Sequence, residues 1–93
     1  MKVTYKALFI YNRDGICVVF PECPGCITFG NSDAQAKDMA QDALKTWCKA
    51  NLDDGLNLPK MSMVEFSVAM KEYQSKYKKV KIAIKNVTVE VDA

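Results

Sequence analysis

Phe20-Pro21-Glu22-Cys23-Pro24-Gly25-Cys26-Ile27-Thr28-Phe29-Gly30 is the stretch that decides the fold of this chain. An apolar run that ends at a proline reads as a strand whose ladder stops there, because proline has no N–H to donate. Pro24-Gly25 marks a tight turn. Ile27–Phe29 reads as a further short strand, ended by Gly30. Just beyond it, Ser32 and Gln35 stand at the spacing of a capping box, so a helix starts there. Cys23 and Cys26 also make a Cys-x-x-Cys spacing, which raises redox and metal readings of the same segment.

Upstream, Val3, Tyr5, Ala7, Phe9 and Tyr11 alternate with Thr4, Lys6, Leu8 and Ile10. That is a strand, and its second half is apolar on both faces. Asn12-Arg13-Asp14-Gly15 is a hairpin turn, and Ile16–Phe20 is the returning strand. Downstream, Ala36, Met39, Ala40, Ala43, Leu44, Trp47 and Cys48 recur every three or four residues, one apolar stripe of a long helix that Gly55 stops. Leu56–Ser62, with Pro59, reads as a loop. Met63–Met70 alternates again, with Val64, Phe66, Val68 and Met70 on one side, and this predicts a fourth strand. Lys71–Lys79 reads as a polar connection. In the last strand the apolar parity flips across Lys85-Asn86, from Val80, Ile82 and Ile84 to Val87, Val89 and Val91, which predicts a bulge or kink.

The expected class is α+β. An antiparallel sheet of three N-terminal strands plus a fourth carries one long helix on one face, with an additional C-terminal strand. Residues 1–70 form the β-β-β-α-β domain. Residues 71–93 form a basic strand extension, in the same single domain or at a dimer interface. One helix covers one face, so Leu8 and Ile10 need another cover. This predicts a homodimer, or a higher oligomer, in which the tail strand pairs with or swaps onto a neighbour.

Ninety-three residues make one domain with a modest core. No apolar run has the length of a membrane span, and the N-terminus lacks the apolar block of a signal peptide, so no membrane partner and a cytoplasmic location are expected. The net charge is +2. Residues 1–62 carry seven basic and seven acidic residues, while residues 63–93 carry six lysines against four acids. Lys76, Lys78, Lys79, Lys81 and Lys85 therefore concentrate the excess. They are candidate nucleic-acid contacts, or the solvated lysines of an edge strand that resists aggregation.

The chain has no histidine, which removes Ser/His and Cys/His catalysis. Structural zinc wants four ligands in two close pairs, and only Cys23 and Cys26 form one. Cys17 lies mid-strand and Cys48 on the helix stripe, as small core residues do. A thioredoxin-like motif opens a helix, whose N-terminus lowers the thiol pKa; here it opens a strand. Asp53 and Asp54 are adjacent and diverge, Glu22 lies in a turn, and Asp14 lies in the hairpin. No catalytic, cofactor-binding or metal-binding residues are expected, and the chain does not read as an enzyme.

Tyr5–Ile10, Asp14-Gly15, Val18-Val19-Phe20-Pro21-Glu22, Pro24-Gly25-Cys26, Thr28, Gly30 and the Ser32-capped helix together resemble the HicB-like antitoxins. The likeness runs from Tyr5 to Pro59. Its core is the fold-signature turn of Phe20, Pro21, Pro24, Gly25 and Cys26. Glu22 stands where the family has Asp, Ser32 where it has Thr, and Cys23 where it has an apolar residue such as Leu. The resemblance implies a partial RNase H-like fold without nuclease activity. It also implies a partner: a small basic mRNA-cleaving toxin of the HicA type, blocked by steric occlusion of its RNA-binding surface. Asp14 and Glu22 are then the candidate toxin contacts. Such antitoxins commonly carry a C-terminal DNA-binding domain. Val80–Ile84 is similar to the strand that opens its ribbon-helix-helix version, but no helical segment follows before Ala93. The alternatives are an orphan HicB-like structural domain and a nucleic-acid-binding protein that uses the lysine-rich tail.

Overall fold

A computed structural model describes residues 1–60 and 62–92. β1 (Lys2–Asn12) and β2 (Gly15–Val19) form a hairpin around Arg13-Asp14, with Asn12 opposite Gly15. Among the described residues no non-glycine residue has a positive φ, so Gly15, at φ +143°, completes the reversal. A Cβ on Gly15 would also run into the Phe29 ring. β3 (Ile27–Gly30) pairs antiparallel with β2, and β4 (Lys81–Glu90) pairs antiparallel with β1. The sheet order is β3-β2-β1-β4.

α1 (Asp33–Asp53) packs on one face of this sheet. Ser32 accepts from the Gln35 N–H at 3.1 Å, while the Gln35 side chain accepts from the Asn31 N–H at 2.6 Å. Ala36, Ala40, Leu44 and Cys48 are fully buried against Tyr5, Ala7, Phe9, Ile16, Val18, Val87 and Val89. The small residues at the start of the stripe let α1 approach closely, and Gly30 matches them from the strand side. A Cβ on Gly30 would lie 2.5 Å from the backbone N and Cα of Ala36. Met39, placed on the stripe by its spacing, is 41% exposed.

The stretch expected as a fourth strand is a helix. α2 spans Met63–Lys76, opened by a full capping box in which Ser62 and Glu65 satisfy each other's backbone N–H groups. Phe66, Met70, Tyr73 and Tyr77 recur at helical spacing and pack over Leu8, Ile10 and Val19. Helix-forming Met, Ala, Glu, Lys and Gln fill most of the segment, and the cap decides between the two periods. Most of the expected polar connection Lys71–Lys79 is therefore the second half of α2. The sheet carries a helix on each face, not one helix on one face. Leu8 and Ile10, both at 0% exposure, have their cover inside the chain.

β4 corrects a further expectation. Its register with β1 runs without a slip from Lys2↔Glu90 to Tyr11↔Lys81, so no bulge interrupts Lys85-Asn86. The parity flips because the cover changes sides. Val80 and Ile82 pack on the α2 side, whereas Val87, Val89 and Val91 pack on the α1 side. Within the chain, the strand that pairs with β4 is β1.

Candidate functional site

The turn after β2 is built by its backbone. Cys23 N–H donates to Phe20 C=O at 3.0 Å, Cys26 N–H to Cys23 C=O at 2.9 Å, and Phe20 N–H to Cys26 C=O at 3.2 Å. Gly25 adopts φ +84°. The Trp47 Nε1–H donates to Pro24 C=O at 3.0 Å and ties the turn to the fourth turn of α1. Phe20, Cys23 and Cys26 are buried in the α1-side core beside Cys48. Burial pushes the Cys23 thiol well above its usual range and Cys26 up to about 11; neighbouring Cys26, Cys48 and Glu22 add to the rise at Cys23. These are thiols, not thiolates, in ordinary conditions, and the element that follows them directly is strand β3, not a helix. Among the described residues, no cluster of three or more His, Cys, Asp or Glu side chains is placed to hold a metal ion. The Cys-x-x-Cys spacing is thus a packed turn. Cys17 differs: it is partly exposed on the α2 side, where burial raises its pKa and Lys76 opposes the rise.

The two acidic candidates lie far apart. Asp14 is exposed at the hairpin tip, and Glu22 follows the opposite end of β2. Glu22 borders an open cleft with Lys2, Thr4, Tyr5, Leu58 and Lys60. The Tyr5 hydroxyl donates to Pro59 C=O at the back of this region and holds the loop after α1 against β1. A partner touching both carboxylates must span the length of β2.

The lysines divide in a similar way. Lys76, Lys78 and Lys79 are exposed at the C-terminal end of α2 and the turn that follows. Lys81 opens β4 with its ammonium 5.2 Å from the Tyr11 ring centre. Lys85 leaves this group. It lies on the α1 side, 3.8 Å from Asp33 Oδ1 and 4.7 Å from the Phe9 ring centre. Tyr11 O–H donates to the same Asp33 carboxylate at 2.6 Å.

Residue-level reasoning missed one feature, the exposed apolar surface on the α2 side. Met63, Val64 and Val68 on α2, Ile27 and Phe29 on β3, and Ile84 on β4 are all exposed there. The Ser62-x-x-Glu65 spacing was the signal that would have revealed α2 and hence this face.

Comparison with known proteins agrees with this architecture. Residues 8–92 match the family model described as HicB_like antitoxin of bacterial toxin-antitoxin system. Comparison with curated proteins finds no match. Among solved structures, a chain of a HicA3 and HicB3 toxin-antitoxin complex is similar at TM-score 0.66 and 20% identity, covering 98% of this chain and 100% of that one. A chain of a toxin-antitoxin complex from Streptococcus pneumoniae reaches TM-score 0.73 at 22% identity, over 97% of this chain and 70% of that one. The Burkholderia pseudomallei antitoxin HicB gives TM-score 0.62 at 20% identity, over 97% and 64%. At these identities the structural likeness is one of fold, and the family rests on the sequence match over nearly the whole chain. The chain belongs to the HicB-like antitoxin family of bacterial toxin-antitoxin systems.

Proposed function

We propose that this protein neutralises a small HicA-type mRNA-cleaving toxin by binding it and covering its RNA-binding surface. The observation that carries this reading is the family match over residues 8–92. The chemistry is consistent with a binding module and not an enzyme. The chain lacks histidine, its buried thiols are protonated, and Asp14 and Glu22 stand at opposite ends of β2. Those two carboxylates are the proposed contacts to a basic toxin, one at each end of the footprint. A cytoplasmic site of action follows from an mRNA-cleaving partner, and no described helix is long and apolar enough to cross a membrane. Residues 1–70 and 71–93 act as one folding unit in this reading, supported by the pairing of β4 with β1. The partial RNase H-like description implied by the family resemblance belongs to the same proposal.

Co-expression tests it. A HicA-type toxin encoded beside this chain should arrest growth alone, and this protein should restore growth and co-purify with the toxin. Persistent arrest, with no complex on a sizing column, defeats the reading. Asp14→Lys and Glu22→Lys should each weaken the complex if the footprint spans the sheet.

A second reading has its own observation, the exposed Lys76, Lys78 and Lys79 beside Lys81. Phosphate contacts by four such lysines would give an affinity falling with salt at a log–log slope of roughly −3 to −4. A mobility shift that is absent at low salt removes it.

A further inference from the structure

Cys23-Pro24-Gly25-Cys26 closes as a four-residue turn, with the Cys26 N–H donating to the Cys23 C=O at 2.9 Å. Proline fixes φ at its second position and Gly25 supplies φ +84° at its third, the pattern of a type II turn. The first and last Cα atoms of such a turn lie within about 7 Å of each other. A disulfide spans about 4.4–6.8 Å between Cα atoms. Two further backbone bonds, from Cys23 N–H to Phe20 C=O and from Phe20 N–H to Cys26 C=O, hold the turn from the strand side. Trp47 holds the Pro24 carbonyl from α1. Both cysteine side chains enter the same α1-side core, Cys23 at 1% and Cys26 at 4% exposure. The backbone is therefore set for a bridge, while both sulfurs are free thiols sealed from solvent.

The other two cysteines compete poorly for this bridge. Cys17 packs on the α2 side, with the sheet between it and the pair. Cys48 shares the core with Cys23, but it sits on α1 and meets the turn only when α1 is docked. Cys23 and Cys26 stay neighbours along the chain when the fold opens, and a short loop costs least to close. Opening matters because exchange needs a thiolate that a reagent reaches. In the closed fold, burial first and the neighbouring thiols second keep Cys23 and Cys26 protonated. Oxidation therefore runs through the opened turn, and a small disulfide such as oxidised glutathione is the oxidant. The thiolate of one cysteine attacks a sulfur of that disulfide, whose S–S bond breaks, and one glutathione thiolate leaves and takes up a proton. The second cysteine gives its proton to water, attacks the mixed disulfide and expels the second glutathione. Two protein thiols are oxidised and one small disulfide is reduced to two thiols. When the turn closes again, the new S–S bond lies where a reducing thiol has no path to it. Where small thiols are kept reduced, the dithiol is the resting form and the bridge records an oxidising episode.

We propose that Cys23 and Cys26 are a covalent modification site, a disulfide latch on the Phe20–Gly30 turn that a small-molecule disulfide closes when the turn opens and that the core then protects. The latch does not depend on the toxin reading. Its test starts from the reduced full chain, incubated with oxidised glutathione at mildly alkaline pH, with and without urea below the unfolding midpoint, and quenched by alkylation. Cleavage after Glu22 and after Lys37 releases residues 23–37, a peptide that holds Cys23 and Cys26 without Cys17 or Cys48. Mass spectrometry should find this peptide two hydrogens lighter than its dithiol form and closed to alkylation. It should form roughly tenfold faster or more in urea, because the open state is rare without it. Returned to buffer, the bridge should resist dithiothreitol until urea is added again. The oxidised protein should melt about 5 °C or more above the reduced one, since the link restricts the unfolded chain. Cys48→Ala should still form the bridge. Cys26→Ala should lose it, along with the difference in melting between oxidised and reduced protein. A dithiol peptide that persists in oxidised glutathione and urea overturns the proposal, as does a Cys23–Cys48 bridge as the end product. Equal rates with and without urea overturn it too, because the core would then protect nothing. An oxidised protein that melts at or below the reduced one overturns it as well, because the turn would have to distort to close.

Discussion

Gly30→Ala probes the contact on which the α1 side of the molecule depends. Gly30 does not have a positive φ, so its backbone accepts alanine and the effect is steric. The new Cβ would stand 2.5 Å from the N and Cα of Ala36 and 2.9 Å from its Cβ, against 3.4 Å for ordinary contact. The first turn of α1 must then retreat by about 0.9 Å from β3. Overpacking of this kind costs about 1–3 kcal/mol. Reduced unfolded-chain entropy offsets about 0.4–1 kcal/mol. A net loss of about 1–2 kcal/mol corresponds to a Tm lowered by roughly 5–15 °C in a domain of this size. Thermal and urea unfolding, followed by circular dichroism and by Trp47 fluorescence, measure it. Ala36→Gly should not rescue the variant, because the two nearest atoms belong to the backbone and remain in place. Gly25→Asn is the control. Nothing lies within 4 Å of a Cβ there, and Asn tolerates the positive φ, so its loss should be small. A Gly30→Ala protein as stable as wild type would refute the close strand-to-helix approach.

Two further outcomes follow from burial. With a thiol reagent at mildly alkaline pH, Cys17 should react first, while Cys23, Cys26 and Cys48 should wait for unfolding, since burial raises all three thiols and leaves them at most 4% exposed; prompt modification of all four would contradict the packed turn. The Tyr5 hydroxyl is pushed up to about 12, chiefly by burial. The fold therefore favours its neutral form. That contribution is complete below pH 10 and is lost as pH climbs toward 12. Tyr5→Phe should unfold less steeply in this alkaline window, though it starts less stable by about 1 kcal/mol for the lost bond to Pro59. Equal alkaline slopes would exclude Tyr5 as the titrating group.

The front of the molecule was legible because its signals are local and agree with one another. Pro21 ends a strand, Gly15 and Gly25 supply positive φ, and Ser32 with Gln35 opens α1. Each acts through its own backbone, so no knowledge of distant contacts is needed. The second half was harder because its patterns depend on what covers each face. The flip in β4 looked like a bulge when the strand was read alone. With a helix on each side of the sheet, an unbroken strand changes its buried side as it leaves α2 and comes under α1. The surface candidates were less legible still. Asp14 and Glu22 are close in sequence, yet β2 holds them apart, and Lys85 turns from the other lysines toward Asp33.

Met63–Met70 shows where a two-residue period can deceive. Val64, Phe66, Val68 and Met70 alternate along the chain as a strand face would. In α2 they separate into two pairs. Phe66 and Met70 point to the sheet, and Val64 and Val68 point away from it. Had the outer pair been Lys or Glu, only the helical stripe of Phe66, Met70, Tyr73 and Tyr77 would have stood out, and the segment would have read as an ordinary amphipathic helix. Conflict between a local pattern and the fold is expected where a surface serves something beyond the fold itself. The two valines that made this helix look like a strand are both exposed on its outer side. Val68→Lys should therefore restore the amphipathic pattern of α2 and leave the far-UV circular dichroism spectrum unchanged; a loss of helical signal would contradict the outward direction of this side chain.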